Sequence, residues 1–363
     1  MPEEKDPIVE EAIAHSKSSP ETEQIRPEDV LIPPATAKVR VWESWIMERF
    51  MGFVARWYLR RPDQAGILAV KFPDFKSAFH GFMNELYFVL GRERGFKLVT
   101  INLEATNACN LACAMCPVNH GMERKKGLLD FDLYKKIVDE HPELEFILVF
   151  QWGEPMLHRR ILEMIRYAHD RGIRTMMTTN GTFMSPQAIK RILESGLDRI
   201  TFSVDGLGDT HTKIRGFEYE QLKRNILEFK KMRDATHSPL KIDTSMVVWE
   251  ETERDVAGYR QEWGPIADRV QLIPKLEEHP REHKCRELWR GSAIVLWDGR
   301  VTVCCADSEG DLVIGNARET PVRDLWNGGK MRALRRSHRR KKFFSVCKDC
   351  GEYRSPEASP RFS

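Results

Sequence analysis

The chain has 363 residues, 41% hydrophobic and 31% charged, with a formal net charge of +3, a balance ordinary for a globular enzyme with one large α/β domain and a smaller one. No apolar run approaches the ~18 residues of a membrane span, and the acidic start Met1-Pro2-Glu3-Glu4-Lys5-Asp6 lacks the apolar core of a signal peptide, so a cytoplasmic location is expected. Eight cysteines in that setting point to reduced thiols and metal ligands, not to a disulfide framework.

Residues 1–38, rich in Glu, Pro, Ser and Thr, read as a mobile tail. A helical extension is expected over 39–97. There Trp42, Trp45, Ile46, Phe50, Phe53, Val54 and Trp57 recur at helical steps, and Phe75, Phe79, Phe82, Leu86 and Val89 repeat the pattern. Apolar stripes of this kind pack as a helical pair on the main domain. The alternatives are a lipid-facing helix, with Arg56, Arg60 and Arg61 near anionic headgroups, and a cap over a substrate.

Over 98–275, short apolar strands at 98–104, 145–150, 174–179, 199–204, 241–248 and 269–274 alternate with helical stretches such as 160–171, 186–195 and 219–233. Strands this apolar suit burial on both faces. The βα repeat predicts a parallel sheet with right-handed crossovers, curved into a partial (β/α)6 TIM-like barrel. Active sites of such barrels form at the carboxyl ends of the strands.

Polar motifs collect at that end. The loop Cys109-Asn110-Leu111-Ala112-Cys113-Ala114-Met115-Cys116 follows the first strand and spaces its thiols as C-x3-C-x2-C. Zinc normally takes four ligands in two short pairs, so this loop is one ligand short. A cubane [4Fe–4S] cluster on three cysteines instead leaves one iron open to a substrate or cofactor. After the second strand comes Gln151-Trp152-Gly153-Glu154-Pro155, after the third Thr178-Thr179-Asn180-Gly181, and after the fourth Ser203-Val204-Asp205-Gly206. A lone Asn-Gly or Asp-Gly is usually a turn. Repetition at one end of successive strands is better explained by a site.

These motifs, together with Ile214-Arg215-Gly216, resemble the radical S-adenosylmethionine (radical SAM) superfamily over roughly residues 98–275. The resemblance implies a [4Fe–4S] cluster on Cys109, Cys113 and Cys116 whose open iron chelates S-adenosylmethionine. One electron then cleaves the sulfonium, and a 5'-deoxyadenosyl radical takes hydrogen from substrate. It further implies that Gly153 and Glu154 receive the methionine amino group and that Thr179 and Asn180 meet the methionine or ribose. Ser203 and Arg215 fall at positions near the ribose and the methionine carboxylate. Such pairings suit the groups, since an ammonium wants an oxygen acceptor and a carboxylate wants a guanidinium. Met115 stands where the family commonly has an aromatic, and Gln151-Trp152-Gly153 replaces the commoner Gly-Gly pair. The alternative for Glu154 and Arg215 is a surface ion pair.

Five cysteines follow the barrel: Cys285, Cys304, Cys305, Cys347 and Cys350. Cys304 ends a strand expected after the Asp298-Gly299 turn, and Cys347-Lys348-Asp349-Cys350 is a C-x2-C pair. Four separated cysteines of this kind also suit zinc. After a radical SAM core, however, this set with Gly315-Asn316 and Asp324-Leu325-Trp326-Asn327 resembles the auxiliary iron–sulfur domain called SPASM, over 276–353. Five cysteines are too few for its two clusters, so the resemblance favours the shorter twitch form. That form holds one auxiliary [4Fe–4S] cluster on Cys285, Cys304, Cys347 and Cys350. Cys305 is then spare: a packing or tuning residue, a replacement for Cys304, or a hydrogen donor to a substrate radical. The basic run 330–342 reads as a solvated helix face, with an acidic flavodoxin- or ferredoxin-type reductant, a phosphate or a membrane surface as alternatives. No readable motif supports nucleic acid. Residues 354–363 are a terminal tail.

The resemblance implies an oxidoreductase. Hydrogen abstraction from an unactivated carbon of a small molecule, followed by electron loss to the auxiliary cluster, gives a dehydrogenation of the kind that twitch-bearing aminocyclitol enzymes perform. Peptide maturation, lipid modification and, outside enzymes, iron–sulfur electron carriage are the alternatives. No winged-helix pattern for gripping a leader peptide precedes the core, and no Rossmann-like unit for cobalamin.

Overall fold

A computed structural model of the chain describes residues 75–275, 280–343 and 345–350. The expected tails at 1–38 and 354–363 and the tryptophan-rich helix around 42–57 lie outside the described residues. Contacts divide the chain into two compact units. The first contains Thr100–Lys275 and Ala293–Leu325, and the second contains the described parts of Leu31–Val99, Leu276–Ser292 and Trp326–Ser363.

The first unit is built on β1 (Thr100–Leu103), β2 (Phe146–Leu148), β3 (Arg174–Thr179), β4 (Arg199–Ser203), β5 (Lys241–Val248) and β6 (Arg269–Pro274). Each pairs with the next in parallel. The order never reverses, unlike that of a doubly wound sheet, and the sheet does not close on itself. It is the expected partial barrel. Burial on both faces, expected from composition, holds for β4 and β5, where the consecutive residues Ile200, Thr201 and Phe202, and Ile242, Asp243 and Thr244, are buried. At β1 and β3 it holds for one face: Ile101, Leu103, Thr175, Met177 and Thr179 are buried, while the alternate side chains, on the opposite face, are half-buried.

Helices α2 (Phe131–Glu140), α3 (Ile161–His169), α4 (Pro186–Glu194), α5 (Gly208–Arg215), α6 (Tyr219–Ala235) and α7 (Val256–Trp263) connect the strands. Local chemistry sets their ends. The Asp130 carboxylate accepts the Leu133 N–H at 2.8 Å to cap α2, and Ser185 caps α4 just ahead of Pro186. Gly216 closes α5 in the left-handed conformation, φ +70°. At the amino ends of the strands, buried Asp243 of β5 is gripped by Arg199 of β4 and Arg269 of β6 and by Gln271 at 3.0 Å.

The hairpin expected at Asp298-Gly299 forms between β7 (Ser292–Val295) and β8 (Arg300–Thr302), and β9 (Gly315–Asn316) adds to it. These strands extend the same sheet beside β1, where the Glu104 N–H donates to Val295 O at 2.9 Å. They cover the edge that an open sheet would leave unpaired. Helix α8 (Val322–Trp326) follows.

The second unit contains α1 (Phe75–Val89), the turn 286–289 and α9 (Gly329–Arg339). Helix α1 forms where the periodicity of 75–89 predicts it, but the expected stripe is not its buried face: Phe79 is exposed and Phe82, Leu86 and Val89 are half-buried, while Ser77, His80, Asn84 and Glu85 are buried. Asn84 holds both the N–H and the carbonyl of Lys97, and Phe88 meets Trp289 edge-on at 5.6 Å. The basic run is only partly the solvated face it was expected to be. Arg332, Arg339, Arg340, Lys341 and Lys342 are exposed, but Arg335 and His338 are buried with Met331 and Leu334. The helical period, not the charge, decides which side chains turn inward.

Candidate active site

The thiol loop leaves β1 through residues whose side chains do the work of a turn. Thr106 Oγ1 accepts the Ala108 N–H, and the Asn107 amide accepts from Gly127 N and donates to Lys125 O. Cys113 is buried, and Cys109 and Cys116 are half-buried. Burial pushes the Cys109 thiol up to about 11, with Glu154 and the other two thiols adding to the shift against the Leu111 N–H. Burial also raises Cys113, which Arg215 opposes. Cys109 and Cys113 thus each feel the neighbouring thiols, and Cys113 a guanidinium as well.

Gly153 lies against this loop. Its φ is +82°, and a Cβ there would stand 2.5 Å from the carbonyl oxygens of Thr106 and Ala108. Only glycine permits that approach, which lets the Glu154 N–H reach Ala108 O at 2.8 Å. The Glu154 side chain then turns inward. One carboxylate oxygen accepts from Thr179 Oγ1 (2.8 Å) and Met156 N (3.1 Å), the other from Asn180 N (2.7 Å). Burial pushes this carboxyl up to about 7, against the pull of the three hydrogen bonds. Asn180 completes the link: its Nδ2 donates to Asn110 Oδ1 at 2.9 Å and lies 3.9 Å from Cys109 Sγ.

Arg215 approaches from the other side of the loop. The Ala114 N–H donates to Ile214 O at 2.8 Å, and Arg215 Nε and Nη2 meet Asp205 Oδ2 at 2.8 and 2.7 Å. Burial disfavours the guanidinium charge, but Asp205 and Cys113 outweigh it and raise the pKa. Asp205 Oδ1 also accepts the Val247 N–H at 2.7 Å, tying β4 to β5. The surface-pair alternative is therefore wrong for both residues: Glu154 is buried and hydrogen-bonded, and Arg215 pairs with buried Asp205. Ser203 ends β4 opposite Ser245 of β5, half-buried.

Cys109, Cys113, Cys116, Gly153, Glu154, Thr179, Asn180 and Arg215 are thus drawn together, with Ser203 on the neighbouring strand. Asp205 was missed as a site residue. Its Asp-Gly context reads as a turn, and nothing local in the sequence links it to an arginine ten positions on. The thiol set fits an iron–sulfur cluster: soft donors on one loop, neutral where buried unless metal displaces the proton, beside a fixed cation. Among the described residues no three His, Cys, Asp or Glu side chains converge on a single-ion site. A cubane, whose thiolates bind different irons, requires no such convergence.

Of the second cysteine set, Cys304 and Cys305 belong to the first unit, and Cys285, Cys347 and Cys350 to the second. Cys305 is exposed, and its carbonyl accepts Gln151 Nε2 at 2.9 Å. Asp307, fully buried, holds the turn beyond it by accepting from Thr302 Oγ1 and from the N–H groups of Gly310, Asp311 and Leu312. In the second unit Arg281 Nη2 donates to Cys350 Sγ at 3.0 Å, and its N–H reaches Lys348 O. Burial pushes Cys285 up to about 12, Arg281 opposing and Cys347 adding. These three thiols share one environment.

Comparison with known proteins agrees. Residues 103–260 match the family model described as the radical SAM superfamily, and residues 285–351 match that of an iron–sulfur cluster-binding domain, SPASM. An AdoMet-dependent heme synthase from Nitratidesulfovibrio vulgaris is 36% identical over 127 residues, 34% of this chain and 35% of that protein; the chain thus matches only about a third of that relative's length. An S-adenosyl-L-methionine-dependent 2-deoxy-scyllo-inosamine dehydrogenase from Niallia circulans is 23% identical over 69% of this chain and 91% of that protein. The solved structure of native anSMEcpe with bound AdoMet has a similar fold, with TM-score 0.53 and 17% identity over 66% of this chain and 83% of that one. S-adenosylmethionine and iron–sulfur clusters are therefore the cofactors of this enzyme. With its site motifs and both domain models in agreement, the chain belongs to the radical SAM superfamily and carries a SPASM-type iron–sulfur domain.

Proposed function

We propose that this protein is a radical SAM dehydrogenase of a small molecule in specialised metabolism. The observation that carries the reading is the convergence of the three-thiol loop, Gly153-Glu154, Thr179-Asn180 and the Arg215–Asp205 pair at the carboxyl ends of successive strands. Likeness to an inosamine dehydrogenase over 91% of that protein's length supports the oxidative outcome. When bound, the cluster and S-adenosylmethionine supply a 5'-deoxyadenosyl radical that takes hydrogen from an unactivated carbon. The residues of this chain hold and orient. Cys109, Cys113 and Cys116 carry the first cluster, Gly153 lets the backbone close on the cofactor, and Glu154 presents an acceptor for its ammonium. Thr179 and Asn180 fix Glu154, Ser203 would serve the ribose, and Arg215, held by Asp205, would receive the carboxylate. Cys285, Cys304, Cys347 and Cys350 would hold one auxiliary [4Fe–4S] cluster, which would supply an acceptor for the second electron of the oxidation. The domain divisions drawn from the sequence, 98–275 for the core and 276–353 for the cluster domain, belong to the same proposal. So do a flavodoxin- or ferredoxin-type reductant and a cytoplasmic setting. Among the described residues no helix is long and apolar enough to cross a membrane.

The test is anaerobic reconstitution with reductant. Formation of 5'-deoxyadenosine from S-adenosylmethionine, with iron near two cubanes per chain, is expected. Aminocyclitols as probes are expected to yield ketones, and Cys347→Ala to keep cofactor cleavage while losing that product. Turnover of a peptide or a lipid with no response to aminocyclitols would replace the small-molecule reading. Full product from Cys347→Ala would end the electron-acceptor role.

A further inference from the structure

Among the described residues, Arg335 is a charge buried without an anion. Its side chain is 0% exposed, its guanidinium carbon 4.4 Å from the ring centre of Trp326 and 6.0 Å from that of Trp289. Nε donates to Leu288 O at 2.8 Å, and Nη1 donates to Glu93 O at 3.2 Å and Asn327 Oδ1 at 3.0 Å. Among the described residues every acceptor is neutral, and Nη2 has none. The Glu93 carboxylate, the obvious candidate, is turned instead to Arg336 at 2.8 Å and Arg339 at 3.7 Å. Among the described residues no carboxylate pairs with Arg335; burial alone bears on its charge, and lowers its pKa to about 9. An isolated buried cation is among the most costly arrangements a fold can contain, and normally a counter-charge stands nearby.

The cysteine turn offers one. His338, one turn further along α9, accepts the Cys285 N–H at Nδ1, 3.1 Å. Leu288, whose carbonyl Arg335 holds, lies in the 3-10 turn that Cys285 caps. Arg335 and His338 therefore bind the two ends of one turn from the same helix face. Cys347 and Cys350 complete the thiol group of this unit, with Arg281 on Cys350. A thiolate-ligated cubane is an anion, and one-electron reduction adds negative charge without a proton. A guanidinium buried in the same helix–turn unit is a cation that can offset that charge where water is excluded.

We propose that Arg335 is the buried counter-charge of the auxiliary iron–sulfur cluster, whose ligands in this unit are Cys285, Cys347 and Cys350, a positioning residue that favours the cluster's reduced form. The proposal rests on the auxiliary-cluster reading above. The electron it helps to hold is the one lost by the substrate radical, or one from dithionite in the test. The alternative is a mechanical clamp, in which the guanidinium only joins Leu288, Glu93 and Asn327.

The experiment is a potentiometric EPR titration of the second cluster in a Cys109→Ala/Cys113→Ala/Cys116→Ala background, which isolates it. Arg335→Gln is expected to lower the midpoint potential, and Arg335→Lys to restore most of it. Asn327→Asp keeps the guanidinium but gives it a carboxylate, and is expected to lower the potential too. Loss of iron from Arg335→Gln and Asn327→Asp, with retention in Arg335→Lys, supports the counter-charge equally. An unchanged potential in loaded Arg335→Gln and Asn327→Asp, or equal loss of iron from all three, overturns it in favour of the clamp. Absence of any second-cluster signal in the parent would instead overturn the auxiliary-cluster reading itself.

Discussion

Gly153→Ala tests how the site is closed. A methyl group at φ +82° would meet two strains at once. The left-handed backbone costs an L-residue about 1–2 kcal/mol. The new Cβ would also lie 2.5 Å from the carbonyl oxygens of Thr106 and Ala108. Both neighbours are backbone, so neither yields by a rotamer change, and overpacking of this kind costs about 1–3 kcal/mol. Separation of the loops would also forfeit the 2.8 Å bond from Glu154 N to Ala108 O, worth about 1 kcal/mol. The expected destabilisation is on the order of 4 kcal/mol. Gly172→Ala is the control, since Gly172 has φ +72° and nothing within 4 Å of a Cβ. It carries the backbone strain alone, about 1 kcal/mol. Urea unfolding of both variants, alongside 5'-deoxyadenosine formation, separates the two contributions. If Gly153→Ala unfolded like Gly172→Ala and cleaved cofactor at the parental rate, the close approach would have no bearing on the site.

Asp205→Asn should weaken S-adenosylmethionine binding about tenfold or more, because a hydrogen bond to a charged group is worth about 1.5–3 kcal/mol and Arg215 would lose its fixed partner; unchanged affinity in equilibrium binding would refute its positioning role. Asp243→Ala should cost about 3–5 kcal/mol of stability by leaving Arg199 and Arg269 without their shared carboxylate, yet spare cofactor cleavage per folded molecule, because it lies at the opposite strand ends. Glu154 gives a pH dependence. Burial holds its carboxyl at about 7 in the fold against the ordinary 4.5, so the unfolded chain releases this proton first as pH rises. Stability of the cluster-free protein is therefore lost between these values and then levels off, by on the order of 3 kcal/mol from this group. Comparison with Glu154→Gln isolates it: denaturation midpoints that run parallel from pH 5 to 7.5 would contradict the burial argument.

The chemistry of the site was largely legible because it resides in local spacing. Cys109, Cys113 and Cys116 fall in one loop, and Gly153-Glu154 and Thr179-Asn180 follow their strands directly. Strand position alone places these motifs at one end of a parallel sheet. The α/β repeat was equally plain, since each strand is a short apolar run and each helix carries its period and often its cap, as at Asp130 and Ser185.

What the sequence by itself determined is thus the cluster chemistry, the barrel-like repeat and the strand ends where they meet. Tertiary structure decided the partners. The surface-pair alternative for Arg215 and Glu154 stays open until Asp205 is seen to hold the one and Thr179 and Asn180 to enclose the other. The run Arg335-Arg336-Ser337-His338-Arg339 looks uniformly exposed, but the helix turns two of its members inward and, among the described residues, one arginine is left without a carboxylate. The reason is physical in each case. Spacing along a chain encodes which groups share a loop or a helix face, whereas burial and charge pairing depend on residues tens to hundreds of positions away. For Arg335, those residues are Glu93, Leu288 and the turn that bears Cys285.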